Sequence, residues 1–202
     1  MRQLLILCLS LLSVLPLSAQ TTAREWLGSL NTSLGNRYAT TLVVRMGDSA
    51  DGTLSGYLMI DGDGYYLTLG AMEVYSDGKL RYEINNERKE VTEDRVNLES
   101  SDLLTNPTRA FDFVDEQFEV SVKSSDMQGA ELYVVPRDEN MGISNITLSL
   151  VNTKSGVQPK RIVYDYDGEV VTIELTMVDT SDKRLPRWDK GSYRAYDIVS
   201  FL

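Results

Sequence analysis

The sequence predicts a mainly β (α+β) fold, in which a long antiparallel sheet is accompanied by an N-terminal helix and a short helical insertion. Two observations predict it. Apolar and polar residues alternate along most of the chain, as they do in strands with one buried face. Asp-Gly pairs, which tolerate the positive φ of tight hairpins, separate these segments; they are Asp51-Gly52, Asp61-Gly62, Asp63-Gly64, Asp77-Gly78 and Asp167-Gly168.

Composition places limits on the class of protein. The chain has 202 residues, a length that suits one domain, and 42% of them are hydrophobic, which is ordinary for a folded chain. A net charge of -10 argues against a surface that attracts phosphates, so we expect no nucleic-acid partner. Histidine is absent, which excludes a Ser-His-Asp or Cys-His nucleophile pair and a histidine-ligated catalytic zinc.

Residues 1–19 have the pattern of a cleavable signal peptide. Arg2 is the basic start, residues 4–15 form the apolar segment, and Leu17-Ser18-Ala19 ends it with small residues. Cleavage would remove Cys8, the only cysteine, and leave residues 20–202 as a single exported domain. We therefore expect an exported protein without disulfides.

The first element after this segment is a helix. Thr22 and Glu25 have the spacing of a capping box, and Trp26, Leu27, Leu30 and Leu34 follow at helical intervals. The pattern predicts one amphipathic helix over roughly residues 22–35.

The strands follow in two groups, separated by an insertion. Between residues 97 and 113 the alternation stops, and we predict two short helical turns punctuated by Pro107. In all, the pattern predicts roughly ten or eleven antiparallel strands, and a sheet of that length must curl or close. The clearest segments are 41–46, 53–60, 65–69, 79–84, 118–122, 130–135, 143–151, 161–166, 170–178 and a last one ending near Phe201.

The inward-facing positions are apolar along the whole sheet. Alternation shows that a position is buried, but it does not show whether the space beside it is filled. A solid core and an open apolar trough therefore both fit the pattern, and a trough of this kind would be a ligand pocket. The residues expected to line it are Trp26, Leu30, Leu42, Val44, Leu58, Ile60, Leu67, Leu69, Val74, Leu80, Tyr82, Leu103, Leu104 and Phe111.

Three stretches, in this order, resemble the periplasmic outer-membrane lipoprotein carrier (LolA) family. They are Gly56-Tyr57-Leu58-Met59-Ile60, Val74-Tyr75-Ser76-Asp77-Gly78-Lys79-Leu80-Arg81-Tyr82 and Leu103-Leu104-Thr105-Asn106-Pro107. The resemblance implies a strongly curved antiparallel sheet that forms an unclosed half-barrel, covered by the N-terminal helix and by the insertion as a lid.

The same resemblance implies a function. Members shield the acyl chains of lipoproteins in a hydrophobic cavity and carry them through the periplasm from the inner to the outer membrane. We accordingly expect no enzymatic activity and no cofactor. The implied partners are acylated lipoproteins, an inner-membrane export complex as donor and an outer-membrane acceptor, and we expect a monomer. Two alternatives remain: a lipid-responsive sensor or interaction domain on the same half-barrel scaffold, and an enzyme with two acidic residues facing a cleft.

One departure from the family concerns the lid. The best-known members carry an arginine that latches the lid, beside a proline, just after the strand that matches residues 56–60. Here that position reads Asp61-Gly62-Asp63-Gly64, so the latch is absent or relocated. Arg45, Arg81 and Arg109 are the available candidates, and their spacing favours none of them.

Tyrosines mark the opposite face of the predicted sheet. Tyr57, Tyr66 and Tyr75 fall on the outer side of the alternation. Exposed aromatic rings can form a docking patch, but aromatic residues also suit ordinary strands. Both interpretations fit the pattern.

Overall fold

The computed structural model describes residues 21–47, 52–100, 102–112, 117–180 and 183–202. The predicted signal peptide, residues 1–19, lies outside the described residues. No helix among the described residues is long and apolar enough to cross a membrane.

The described residues form a single sheet of twelve strands, where the sequence predicted ten or eleven. The strands are β1 Arg37–Met46, β2 Thr53–Asp61, β3 Gly64–Leu69, β4 Met72–Ser76, β5 Leu80–Asn85, β6 Glu90–Arg95, β7 Phe118–Ser125, β8 Gly129–Pro136, β9 Asn145–Thr153, β10 Gly156–Tyr166, β11 Glu169–Val178 and β12 Asp197–Ser200.

The strand order explains why the sheet stays open. Strands β1 to β6 form one antiparallel meander and β7 to β11 form another, and β1 joins them by pairing with β11. The order runs β12-β6-β5-β4-β3-β2-β1-β11-β10-β9-β8-β7, so β12 and β7 are edges and the sheet does not close on itself. The mainly β, unclosed half-barrel is therefore confirmed.

The α-helix α1, Ala23–Leu34, has the predicted capping box. Its Glu25 N–H donates to Thr22 Oγ1 (3.3 Å), and the Thr22 N–H donates to Glu25 Oε2 (2.7 Å). The helix ends at Gly35, whose φ of 60° suits glycine. It contacts β10 and β7 through its apolar face, which consists of Ala23, Trp26, Leu27, Leu30 and Leu34.

The insertion between β6 and β7 lies over the same face, and we call residues 102–112 the lid. A hydrogen-bonded turn at 103–105 is followed by a 3-10 helix at Pro107–Arg109. The two short turns predicted around Pro107 are thus present, and the proline begins the second, where its missing N–H costs no hydrogen bond. Two further 3-10 helices, Glu139–Met141 and Lys190–Tyr193, lie outside the lid.

The register of β5 corrects one part of the predicted lining. Leu80 and Tyr82 do not lie on the inner face: Tyr82 pairs with Tyr75, whereas the inner residue Val74 pairs with Glu83. On β5 the apolar residues lie on the outer face, which the C-terminal segment covers, whereas Arg81 and Glu83 share the inner face with Ser76 and Val74. Tyr82 accordingly stacks on Trp188, with ring centroids 4.8 Å apart.

The C-terminal segment, residues 183–202, crosses the outer face and ends in β12. Trp188 lies between the rings of Tyr82 and Tyr193, stacking on the second at 4.9 Å. Strand β12 then runs parallel to β6 and covers that edge. A last strand near Phe201 is confirmed, but its parallel pairing differs from the antiparallel pairing that the sequence predicted.

Candidate functional site

Most of the predicted lining residues lie together in one buried cluster. The cluster joins α1, the inner face of the sheet and the lid. It contains Trp26, Leu30, Leu42, Val44, Leu58, Ile60, Leu67, Leu69, Val74, Leu103 and Phe111, and Leu104 packs against it partly buried. Leu80 and Tyr82, on the outer face, are outside this set. The candidate site is therefore this apolar cluster, whose side chains are buried against one another as a core beneath α1 and the lid.

The lid is packed down on this face. Leu103 is completely buried, and the buried ring of Phe111 lies 6.5 Å from the ring of Tyr38, centroid to centroid. Tyr38 belongs to the inner face, because it pairs with Ile60 across β1 and β2. A hydrocarbon ligand would therefore have to displace the apolar side chains of the lid.

Two tyrosines of β10 hold the lid to the sheet. The Leu103 N–H donates to Tyr164 Oη (3.1 Å), and Tyr166 Oη donates to Asp102 Oδ2 (2.6 Å). The other carboxylate oxygen of Asp102 accepts from the N–H groups of Leu104 (2.8 Å) and Thr105 (3.0 Å). The Asp102 carboxylate thus orders the first turn of the lid and also receives the bond from the sheet.

The environment keeps both phenols neutral. Burial raises the pKa of Tyr164. Burial also raises the pKa of Tyr166, and the hydrogen bond to Asp102 raises it further. Tyr166 therefore remains a hydrogen-bond donor at any ordinary pH.

The arginines considered as latches make other contacts. Arg45 pairs with Glu174 at 2.8 Å, and Arg81 pairs with Glu83 at 2.7 Å, both within the sheet. Arg109 belongs to the lid itself, where its Nη1 donates to the Leu98 carbonyl oxygen at 2.5 Å.

The sequence pattern did not predict the role of the tyrosines as a latch. The signal available was a pair of tyrosines two residues apart on one strand face, at Tyr164 and Tyr166. Nothing local in the sequence connects them with Asp102, which is more than sixty residues away along the chain.

The outer-face tyrosines are used for packing. Tyr66 and Tyr75 lie 4.8 Å apart, ring to ring, under the C-terminal segment. The hydroxyls of Tyr75 and Tyr193 donate to Glu73 Oε2 at 3.0 and 3.2 Å. This part of the predicted docking patch is therefore covered by the chain's own C-terminal residues.

Clefts also occur outside the apolar interior. A cavity of about 590 Å³ lies on the outer side, between Asp61, Asp63, Asp77 and the C-terminal residues 185–188. Three more clefts, of about 340, 460 and 410 Å³, lie elsewhere on the described surface. None of these four clefts is lined by α1 or by the lid.

Comparison with known proteins identifies the fold. No protein-family model matches the sequence, and no curated protein matches it. An uncharacterized conserved protein from Thermus thermophilus is 12% identical, with a TM-score of 0.53 over 88% of this chain and 98% of that one. At this identity the likeness shows a shared fold alone.

Two further solved structures are similar at lower TM-scores. A LolA superfamily protein from Nitrosomonas europaea is 11% identical, covers 86% of this chain and 97% of that one, and has a TM-score of 0.41. LprF from Mycobacterium bovis is 12% identical, covers 81% and 95%, and has a TM-score of 0.44. Scores this low support no conclusion about function. The architecture that the LolA resemblance implied, an open curved sheet under a helix and a lid, is nevertheless present in this chain.

Proposed function

We propose that the protein is a periplasmic carrier, which binds the acyl chains of lipoproteins between the inner face, α1 and the lid and ferries them from the inner to the outer membrane. The observation that carries this proposal is the continuous apolar cluster under a lid held by two tyrosine hydrogen bonds. The sequence stretches that resemble the LolA family support it independently.

The energetics favour loading followed by release. Burial of an acyl chain contributes about 0.8 kcal/mol per CH₂, or roughly ten kcal/mol for a long chain. Part of that gain is offset because the acyl chain must displace Leu103 and Phe111, which already bury apolar area on the inner face. In the ligand-free protein the lid is itself well packed on the inner face. Cargo is therefore held less tightly than the apolar area of the interior suggests, and an acceptor can remove it.

The role requires apolar area and a movable lid, with no covalent chemistry and no cofactor. After removal of residues 1–19, a monomer would receive acylated lipoproteins from an inner-membrane export complex and deliver them to an outer-membrane acceptor. The predicted lining residues supply the area, apart from Leu80 and Tyr82, which face outwards.

Binding can be tested with a synthetic triacylated cysteine lipopeptide and the purified chain from residue 20 onwards. We expect a soluble complex on gel filtration. Leu58 is completely buried on the inner face, so Leu58→Glu should abolish binding while the outer-face variant Val170→Glu retains it. Equal binding by both variants would show that the acyl chains do not occupy the interior.

Transport can be tested in cells of the source organism. Depletion of the protein should leave lipoproteins in the inner membrane, as measured by fractionation. Normal sorting in depleted cells, together with lipopeptide binding in solution, would instead support a lipid-responsive sensor on the same scaffold.

A further inference from the structure

One polar group inside the apolar cluster has no hydrogen-bond partner among the residues that the structure describes. The indole Nε1 of Trp26 is buried and makes no hydrogen bond to any described residue. Trp26 as a whole is only 7% exposed. An unsatisfied buried donor is rare in folded proteins, since the group loses its hydrogen bond to water and gains none in return.

The position of Trp26 indicates what is missing. It lies on the apolar face of α1 that packs into the cluster with Leu27 and Leu30. An indole N–H is a donor only, so it needs an acceptor atom. A plain hydrocarbon chain supplies none, whereas the ester or amide carbonyl at the head of an acyl chain does.

We propose that Trp26 Nε1 binds a carbonyl oxygen of the ligand, so that the interior selects ester- or amide-linked acyl chains over chains that lack a carbonyl. This inference rests on the proposed function, because it assumes that acyl chains enter the interior. It adds the chemical group that the interior recognises.

A matched pair of amphiphiles separates the binding of a hydrocarbon chain from the recognition of its carbonyl group. 1-Monolauroylglycerol and 1-O-dodecylglycerol carry chains of the same length and the same head group, but only the first has a carbonyl. We expect the native protein to bind the ester about five- to tenfold more tightly, the effect of one buried hydrogen bond. Trp26→Phe removes the indole donor and should lose most of that preference.

Trp188→Phe is the control, because the chain has two tryptophans and Trp188 lies on the outer face. It should keep the full preference. This variant also leaves Trp26 as the single tryptophan, which allows a second test by fluorescence. The ester should shift Trp26 emission to longer wavelength, and the ether should not. This test does not depend on whether Trp26→Phe folds.

The outcomes distinguish this inference from the proposed function. Binding of neither compound contradicts the proposed function itself. Equal binding of ester and ether by the native protein, with no ester-specific emission shift, overturns the inference and leaves the carrier function standing. A preference that survives Trp26→Phe undiminished overturns the assignment of Trp26.

Discussion

A single carboxylate links the lid to the sheet. Asp102 receives two N–H bonds from the lid on one oxygen and the Tyr166 hydroxyl on the other. Hydrogen bonds to an ionised acceptor are stronger than neutral ones. Loss of the Tyr166 hydroxyl should therefore favour local opening of the lid more than it lowers the free energy of unfolding of the whole domain.

Tyr166→Phe tests this at the level of one atom. We expect the lid amides at 103–105 to exchange with solvent about five- to tenfold faster, which corresponds to about 1–1.4 kcal/mol, while the amides of β10 change little. Hydrogen exchange followed by mass spectrometry measures both. Tyr133→Phe, at an exposed tyrosine of β8, is the control. Equal protection in both variants would show that the Tyr166 bond does not hold the lid.

The capping box of α1 is a second residue-scale feature. Thr22→Ala removes the hydroxyl that accepts the Glu25 N–H, and we expect a loss of about 1 kcal/mol in the free energy of unfolding. Thr32→Ala on the same helix removes a hydroxyl that only donates back to the Gly28 carbonyl, so it should be nearly neutral. Urea denaturation compares them, and a cost no larger at Thr22 than at Thr32 would contradict the stabilising role of the box.

Among the elements, the C-terminal segment depends on one aromatic side chain. Trp188 is stacked on both faces, by Tyr82 and Tyr193. We expect Trp188→Ala to destabilise the protein by about 1–2 kcal/mol, because it removes both stacking contacts and their buried area. Trp188→Phe should retain more than half of that stability. Equal urea midpoints for the native protein and the alanine variant would mean that the segment is held by other contacts.

The element scale also shows what the sequence could predict. Alternation and Asp-Gly turns are local signals, so they identified the hairpins and the two faces. They could not say which face of β5 is the inner one. Leu80 and Tyr82 lie on the outer face, and Arg81 on the inner one, because a segment a hundred residues later supplies Trp188 to cover the outer face. The parallel pairing of β12 and the bond from Tyr166 to Asp102 are missed for the same reason: both depend on contacts distant in sequence.

For the whole molecule, the dependence of folding stability on pH follows from which titratable side chains the sequence contains. Histidine is absent, so no side chain with an ordinary pKa near 6.5 changes charge in the neutral range. Burial raises the pKa of Tyr38 and Tyr164, so the stability they contribute is present below about pH 10, the ordinary tyrosine pKa, and is lost as the pH rises further. Hydrogen bonds from the Leu80 and Lys79 N–H groups lower the pKa of Asp77, so its contribution is present above about pH 4 and is lost as the pH falls below that.

The free energy of unfolding should therefore form a plateau between about pH 5.5 and pH 9, with losses on both sides. Thermal denaturation across the pH range measures this curve. A step centred between about pH 6 and pH 7 would contradict this prediction, because no histidine is available to produce it.

The central claim is that hydrocarbon occupies the space beneath α1 and the lid, and the two tryptophans allow a direct test. Trp188→Phe leaves only Trp26, inside the cluster, and Trp26→Phe leaves only Trp188, on the outer face. Bromine on an acyl chain quenches tryptophan fluorescence at contact distance, so a bromododecanoyl glycerol ester can be titrated into each variant. We predict saturable quenching of Trp26 and none of Trp188. Quenching of Trp188 alone, or of neither tryptophan, would show that the hydrocarbon does not enter this space.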